Sequence, residues 1–388
     1  MNHLLNKSRF GPGIINSCLK CKIRQSLLIS QSEVHTVQRS KSKVKWRWIT
    51  IGTATFGGIS YYIYFQFQPA DQPKVANKST VTLYRKMPLK MMSRAWGTIN
   101  NLELPVVLRR PLIGLYVWMF DCKLNEAADP DLRNYKNLGE FFRRTLKPGV
   151  RTVNADHDLT SPADGRILHY GICKNGILEQ VKGVTYSLKG FLGPLTWRGD
   201  IDDVNNLSDE EYHQKLKLKP GHELYHCVVY LAPGDYHRFH SASDWKISYR
   251  RHFPGDLLSV SPGIARWIEG LFNFNERVVY AGTWKHGFFS YTAVGATNVG
   301  SIRIYCDEEL TTNHRDHGDR NNVRDACIIE GTEMGKSFQK GDMFGEFNLG
   351  STIVLIFEAP RNFEFKVQTG QKVSYGQPLG YNRHVDLL

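Results

Sequence analysis

From about Val153 to the C-terminus, apolar residues come in short β-branched and aromatic runs punctuated by Gly and Pro, among them ELYHCVVYLAP, VVYAGTW, FFSYTAVGA, GSIRIYC, TIVLIFEAP and FEFKVQTG. Runs of this length with frequent turn signals predict a mainly β body, a sandwich or barrel, over residues 151–388. Upstream, residues 81–150 read as helical pieces: Leu83–Asn101, Leu104–Phe120 and Leu138–Leu146. The second is interrupted by Pro111 and carries Arg109 and Arg110, so a full membrane span is not expected there. Its composition suits either packing on the body or lying flat on a bilayer. A polar linker, QPADQPKVANKST, precedes these helices. Before it, Trp48 to Phe67 is a run of 20 uncharged residues. As a helix it rises about 30 Å, enough to cross a bilayer. Trp46 and Trp48 at one end, and Tyr61, Tyr62 and Tyr64 near the other, fit an aromatic belt.

Charge adds a leader to this picture. The net charge of +13 suggests nucleic acid or an anionic surface as partner. Yet residues 1–47 hold ten Lys/Arg against the single acid Glu33, leaving 40 basic and 36 acidic residues in the remainder. The body is only mildly basic, and a nucleic-acid partner loses its support. An Arg-, Lys- and Ser-rich segment almost free of acid suits a mitochondrial targeting presequence over residues 1–45.

Seven scattered cysteines make no disulfide framework. Cys18-Leu-Lys-Cys21 has metal or redox spacing, but no second ligand pair follows. His314 and His317 lie in the polar stretch TTNHRDHGDRNN (311–322) and read as solvated, so no metal is expected. His226, His252 and His286 read as structural. The Gly-spaced rhythm of KGDMFGEFNLG and GQKVSYGQPLGY is similar to the hairpins of lipoyl and biotinyl modules, but no Lys stands at a modification tip.

Four segments carry the specific signal: Ser161-Pro-Ala-Asp164-Gly165, Tyr236-His237-Arg238-Phe239-His240, Phe253-Pro-Gly-Asp256-Leu257, and Phe347-Asn-Leu-Gly350-Ser351-Thr352. In this order, and with NLGEFFRRTLKPGVR upstream, the chain resembles the phosphatidylserine decarboxylases, close to their mitochondrial branch, over about three quarters of its length. The 311–322 stretch is the evident departure. The resemblance implies a pyruvoyl-dependent enzyme of phospholipid biosynthesis that turns phosphatidylserine into phosphatidylethanolamine and carbon dioxide. It implies a mitochondrial inner-membrane protein, single-pass, with its catalytic domain in the intermembrane space.

The residue chemistry can be followed separately. A serine after glycine can attack the preceding carbonyl, because glycine lets the backbone reach the strained geometry required. The Gly350–Ser351 peptide becomes an ester, elimination leaves dehydroalanine, and hydrolysis gives a pyruvoyl group and ammonia. The products are a β chain ending at Gly350 and an α chain of residues 351–388. The pyruvoyl carbonyl can condense with the substrate's primary amine as a Schiff base and accept the electrons freed with carbon dioxide. The serine needs a base and the base an orienting carboxylate. The resemblance assigns these to His240 and Asp164, and the later protonation of the substrate carbon to His237. His237 and His240, three apart, share one site only if Pro233-Gly234-Asp235 opens a turn or short helix.

The implied partners are membrane phosphatidylserine and the two product chains, with a dimer of the pair left open. Arg238 is a candidate for the phosphate, although a solvated arginine fits its position as well. Two other functions use the same body: an intact membrane-tethered carrier module, and a serine hydrolase in which Ser351 attacks an external ester.

Overall fold

The computed structural model describes residues 75–181, 183–197, 206–297, 301–313, 323–327, 337–348 and 350–382. The predicted presequence, the 48–67 span, Cys18, Cys21, His314 and His317 lie outside these residues. Among the described residues no helix is long and apolar enough to cross a membrane.

The body is mainly β, as its short apolar runs predict. Nine strands position the site: β1 (Gly165–Ile172), β2 (His222–Tyr230), β3 (Arg238–His240), β4 (Trp245–Phe253), β5 (Arg277–Trp284), β6 (Gly287–Val294), β7 (Ile302–Ile304), β8 (Met343–Phe347) and β9 (Thr352–Pro360). The long sheet runs β4–β5–β6–β9–β2–β1, with Arg324–Cys327 beyond β4 and Lys372–Val373 beyond β1. Every pairing along it is antiparallel. Among the described residues it is an open path with two ends. A smaller sheet orders β7–β8–β3.

TIVLIFEAP becomes β9, which lies inside the long sheet between β6 and β2. Side chains alternate across a strand, and here both faces are covered. Ile353, Leu355, Phe357 and Ala359 enter the core shared with Phe239, Phe344 and Phe347 of the small sheet. Val354 and Ile356 enter a second core with Leu188, Phe191 and Tyr212 of the helical cover. A strand buried on both faces reads as a continuous apolar run.

The helical region differs from its prediction in three places. Leu83–Asn101 is two helices, α1 (Lys78–Lys86) and α2 (Leu89–Asn100), because Met87 precedes Pro88 and is pushed to an extended ψ of 144°. The next helix, α3 (Val106–Phe120), runs through Pro111 unbroken. The proline removes an N–H that would reach the Val107 carbonyl, and Val107 is 81% exposed on this outer part of the helix. The last, α4, stops at Phe142 (Leu138–Phe142) because Leu146 is drawn into a bridge with Ala127. The FPGDL segment holds α1 to the body: Gly255 passes under the Asn275 backbone, where a Cβ would meet carbon at 2.5 Å, and Asp256 pairs with Arg85 at 2.6 Å.

Candidate active site

Ser351 directly precedes β9 with no exposed surface, and its Oγ has no hydrogen-bond partner. The groups around it come from two loops. The chain leaving β2 turns at Ala232–Asp235: the Asp235 N–H donates to the Ala232 carbonyl at 2.9 Å, and the Asp235 carboxylate accepts the Ala232 N–H at 2.8 Å. Glycine is required at 234, since a Cβ there would stand 2.0 Å from the Phe120 carbonyl at the end of α3. This turn is the one that Pro233-Gly234-Asp235 was expected to open.

It delivers His237, fully buried, just before β3. The His237 Nδ1–H donates to the Asp235 carbonyl at 2.7 Å, so Nε2 carries the lone pair, and Nε2 has no partner. That nitrogen lies 3.7 Å from the point where a Cβ on Gly350 would stand. Phe142 covers the ring, with centroids 4.1 Å apart. Burial, aided by the Arg144 charge, lowers the His237 pKa to about 3 against the opposing bond to Asp235. The imidazole is neutral at ordinary pH.

Strand register sets the two histidines apart. β3 runs antiparallel to β8, with Arg238 opposite Glu346 and His240 opposite Met343, while the Phe347 N–H donates to the His237 carbonyl at 3.0 Å. His237 is thus at the Gly350 end and His240 at the far end. The His240 Nδ1–H donates to the Gly341 carbonyl at 2.9 Å, and Nε2 accepts the Tyr236 hydroxyl at 3.2 Å. Burial lowers the His240 pKa to about 4. Its ring stacks on Tyr375, centroids 3.8 Å apart and planes within 7°.

Asp164 accepts the Tyr375 N–H at 2.9 Å and is paired with Arg151, which also binds Glu126 at 2.6 Å. Asp164 and His240 therefore meet on Tyr375 and share no direct hydrogen bond. The structure brings His237, Gly350 and Ser351 together and sets Asp164 and His240 in a neighbouring cluster. Sequence reasoning passed over Arg151, Tyr375 and Phe142. Two of these lie in NLGEFFRRTLKPGVR, where their types alone read as an ordinary helix and a solvated cation.

His226 is a third buried histidine, lowered to about 3 by burial and by His169. The three share one consequence. A folded-state pKa below the unfolded value of roughly 6.5 stabilises the fold above that value and loses the stabilisation as pH falls toward the folded pKa. The denaturant midpoint is expected to drop steeply between pH 6.5 and 4 and to stay level from 7 to 8. A flat midpoint across the acid range would show these rings to be hydrated. No group of three or more His, Cys, Asp or Glu able to hold a metal occurs among the described residues.

Comparison with known proteins shows the family. The profile of the family described as phosphatidylserine decarboxylase matches residues 138–381. A phosphatidylserine decarboxylase proenzyme, mitochondrial, of Pongo abelii is 55% identical over 309 residues, covering 79% of this chain and 75% of the relative. The protein of the same name in Caenorhabditis elegans is 37% identical over 374 residues, covering 95% and 92%. The proenzyme 1 of Saccharomyces cerevisiae is 40% identical over 365 residues, covering 76% and 73%. By the extent of these matches, the chain belongs to the phosphatidylserine decarboxylase family.

Proposed function

We propose that this enzyme, which converts phosphatidylserine to phosphatidylethanolamine and carbon dioxide, matures by cutting its own chain between Gly350 and Ser351. One observation supports the reading above others: two buried polar atoms without partners, Ser351 Oγ and His237 Nε2, meet at that peptide. Leaving such a group unpaired costs about 1–3 kcal/mol, and such costs collect at functional sites. The Oγ attacks the Gly350 carbonyl and transfers its proton to a base. The Gly350–Ser351 amide is exchanged for an ester, elimination of the ester frees a chain ending at Gly350, and water then releases ammonia.

The buried, unpartnered Oγ and the lone pair beside it fit a pyruvoyl group at residue 351. That group supplies a carbonyl able to take up a primary amine and the electrons freed with carbon dioxide. The chain's own residues do the rest. His237 Nε2, which holds a lone pair in the resting site, takes up a proton and delivers it to the carbon that loses carbon dioxide, the Asp235 carbonyl fixes its tautomer, and Phe142 keeps water from the ring. We assign maturation to Asp164 and His240, which grip the downstream chain through Tyr375. A second reading, in which His237 is also the maturation base, is favoured by the closeness of its Nε2 to Gly350.

The setting we infer is the mitochondrial inner membrane, with residues 1–45 as presequence, 48–67 as a single span and the body in the intermembrane space. α2 and α3 then lie on the bilayer. Exposed Met91, Met92, Trp96 and Ile99 on the first, and Val107, Leu112, Leu115 and Trp118 on the second, support this. The test measures carbon dioxide released from phosphatidylserine in vesicles and from free serine. Release from the lipid alone is expected, and equal rates on both would sink the lipid assignment. Replacing Trp96 and Trp118 by Ser is expected to weaken vesicle flotation and leave self-cleavage complete.

A further inference from the structure

A cleft of about 950 Å³ opens between α2 and the β7–β8 edge. Three guanidinium groups line it: Arg94 from α2, Arg143 just past α4, and Arg303 from β7. The acidic groups there are mostly engaged. Asp307 lies 3.0 Å from Arg250 and accepts the Tyr280 hydroxyl at 2.7 Å. Glu346 is shared by Arg143 and Arg238, each at 3.8 Å, and by Arg303 at 3.6 Å. It also accepts the Tyr305 hydroxyl at 2.8 Å. Glu308 stands exposed on the rim. Arg94 makes no ion pair among the described residues. At the end of the same helix Asn100, only 5% exposed, also lines the cleft, and its amide nitrogen has no acceptor.

The cleft is tied to the reacting peptide through the chain. Asn348 forms part of its wall, two residues before Gly350, and bonds to both Arg143 and Ser301. Phe142, next to Arg143, is the residue that covers His237.

We propose that this cleft receives the phosphodiester of the substrate headgroup, recognised by Arg94 with Asn100. This rests on the decarboxylase reading and deepens it. The substrate offers two anions, and chemistry separates them. A guanidinium fork on the carboxylate would stabilise the ground state that must lose carbon dioxide, so binding there opposes the reaction. The phosphodiester does not react, and its binding can be spent on holding the amine and Cα at residue 351. A guanidinium fork matches phosphate oxygens two at a time, and an amide N–H can supply a further donor. α2 supplies the direction of approach as well. The helix that lines the cleft with Arg94 and Asn100 exposes Met91, Met92 and Trp96, so a lipid resting on it carries its phosphodiester to Arg94.

The experiment compares full-length parent, Arg94→Gln and Arg94→Lys with two probes: phosphatidylserine in phosphatidylcholine vesicles and dissolved glycerophosphoserine. Self-cleavage is followed on the same samples. Arg94→Gln is expected to cut normally and to raise KM about tenfold or more on both phosphodiester substrates, with a much smaller change in kcat. Arg94→Lys should recover part of the loss. A glycerophosphoserine KM within twofold of the parent overturns the proposal. So does a defect confined to vesicles, which would make Arg94 a general membrane contact. Inorganic phosphate that competes as well as glycerophosphate would mark a free-phosphate site and overturn it also. A parent that releases no carbon dioxide from phosphatidylserine sinks the functional reading itself, a different failure from an unchanged variant of an active parent.

Discussion

A chain carrying Ser351→Ala is expected to stay uncut between residues 350 and 351, to yield no 38-residue fragment, and to release carbon dioxide from phosphatidylserine only at background. The substitution is unusually clean. The serine is fully buried, and its Oγ makes no hydrogen bond, so deleting the hydroxyl breaks none and removes a desolvation cost. Against the uncut precursor, the denaturation midpoint should be unchanged or slightly higher. The loss is then chemical, because alanine has no nucleophile to attack Gly350 and no source of a carbonyl at 351. A denaturing gel, a carbon dioxide assay and a melting curve on one preparation check all three parts. An uncut Ser351→Ala protein with parental activity would remove the self-cleavage mechanism. An uncut parent that still hydrolysed esters would favour the serine-hydrolase alternative.

The second large effect separates the histidines. His237→Ala is expected to mature but decarboxylate about 10²–10⁴-fold more slowly, the usual worth of a positioned proton carrier. His240→Ala is expected to remain uncut. The geometry makes this a demanding test, because His237 rather than His240 lies against Gly350. If His237→Ala stays whole while His240→Ala cuts at the parental rate, the maturation base is His237 and His240 is a support for Tyr375. His237→Ala also leaves a gap beside Phe142. A His237→Gln chain, close in volume, is the control for packing, and it should show the same split between cutting and turnover.

Much of the body was legible because it rests on local pattern. TIVLIFEAP reads as a strand from its own nine residues and forms one, and Pro-Gly-Asp before His237 does open a turn, although it does not bring His240 to Gly350. The proline effects were harder, because their outcome depends on surroundings. Pro88 ends a helix while Pro111 rides within one, and the difference at Pro111 lies in the solvent exposure of Val107. What faces what across the site was not legible at all. Which histidine meets Gly350 depends on the register between β3 and β8, about a hundred residues apart. The partner of Asp164 is fixed by Arg151 and by Tyr375, some two hundred residues downstream. The resemblance supplied residue roles, but it carried no such distances.

β9, the strand that begins at Thr352 and is hydrogen-bonded on both sides, has a further consequence. Once the peptide at 350–351 is cut, a strand inside the sheet belongs to a 38-residue piece with no covalent tie to its neighbours. The mature enzyme should hold together through refusal to open, since the small chain cannot leave without taking the sheet apart. Recovery from unfolding then changes character. The precursor refolds as one molecule, at a rate independent of dilution, whereas the mature pair must find each other in solution, and a loose strand of this composition invites aggregation. Maturation therefore makes the fold a single-use product: a molecule that unfolds after cutting is replaced by synthesis rather than repaired.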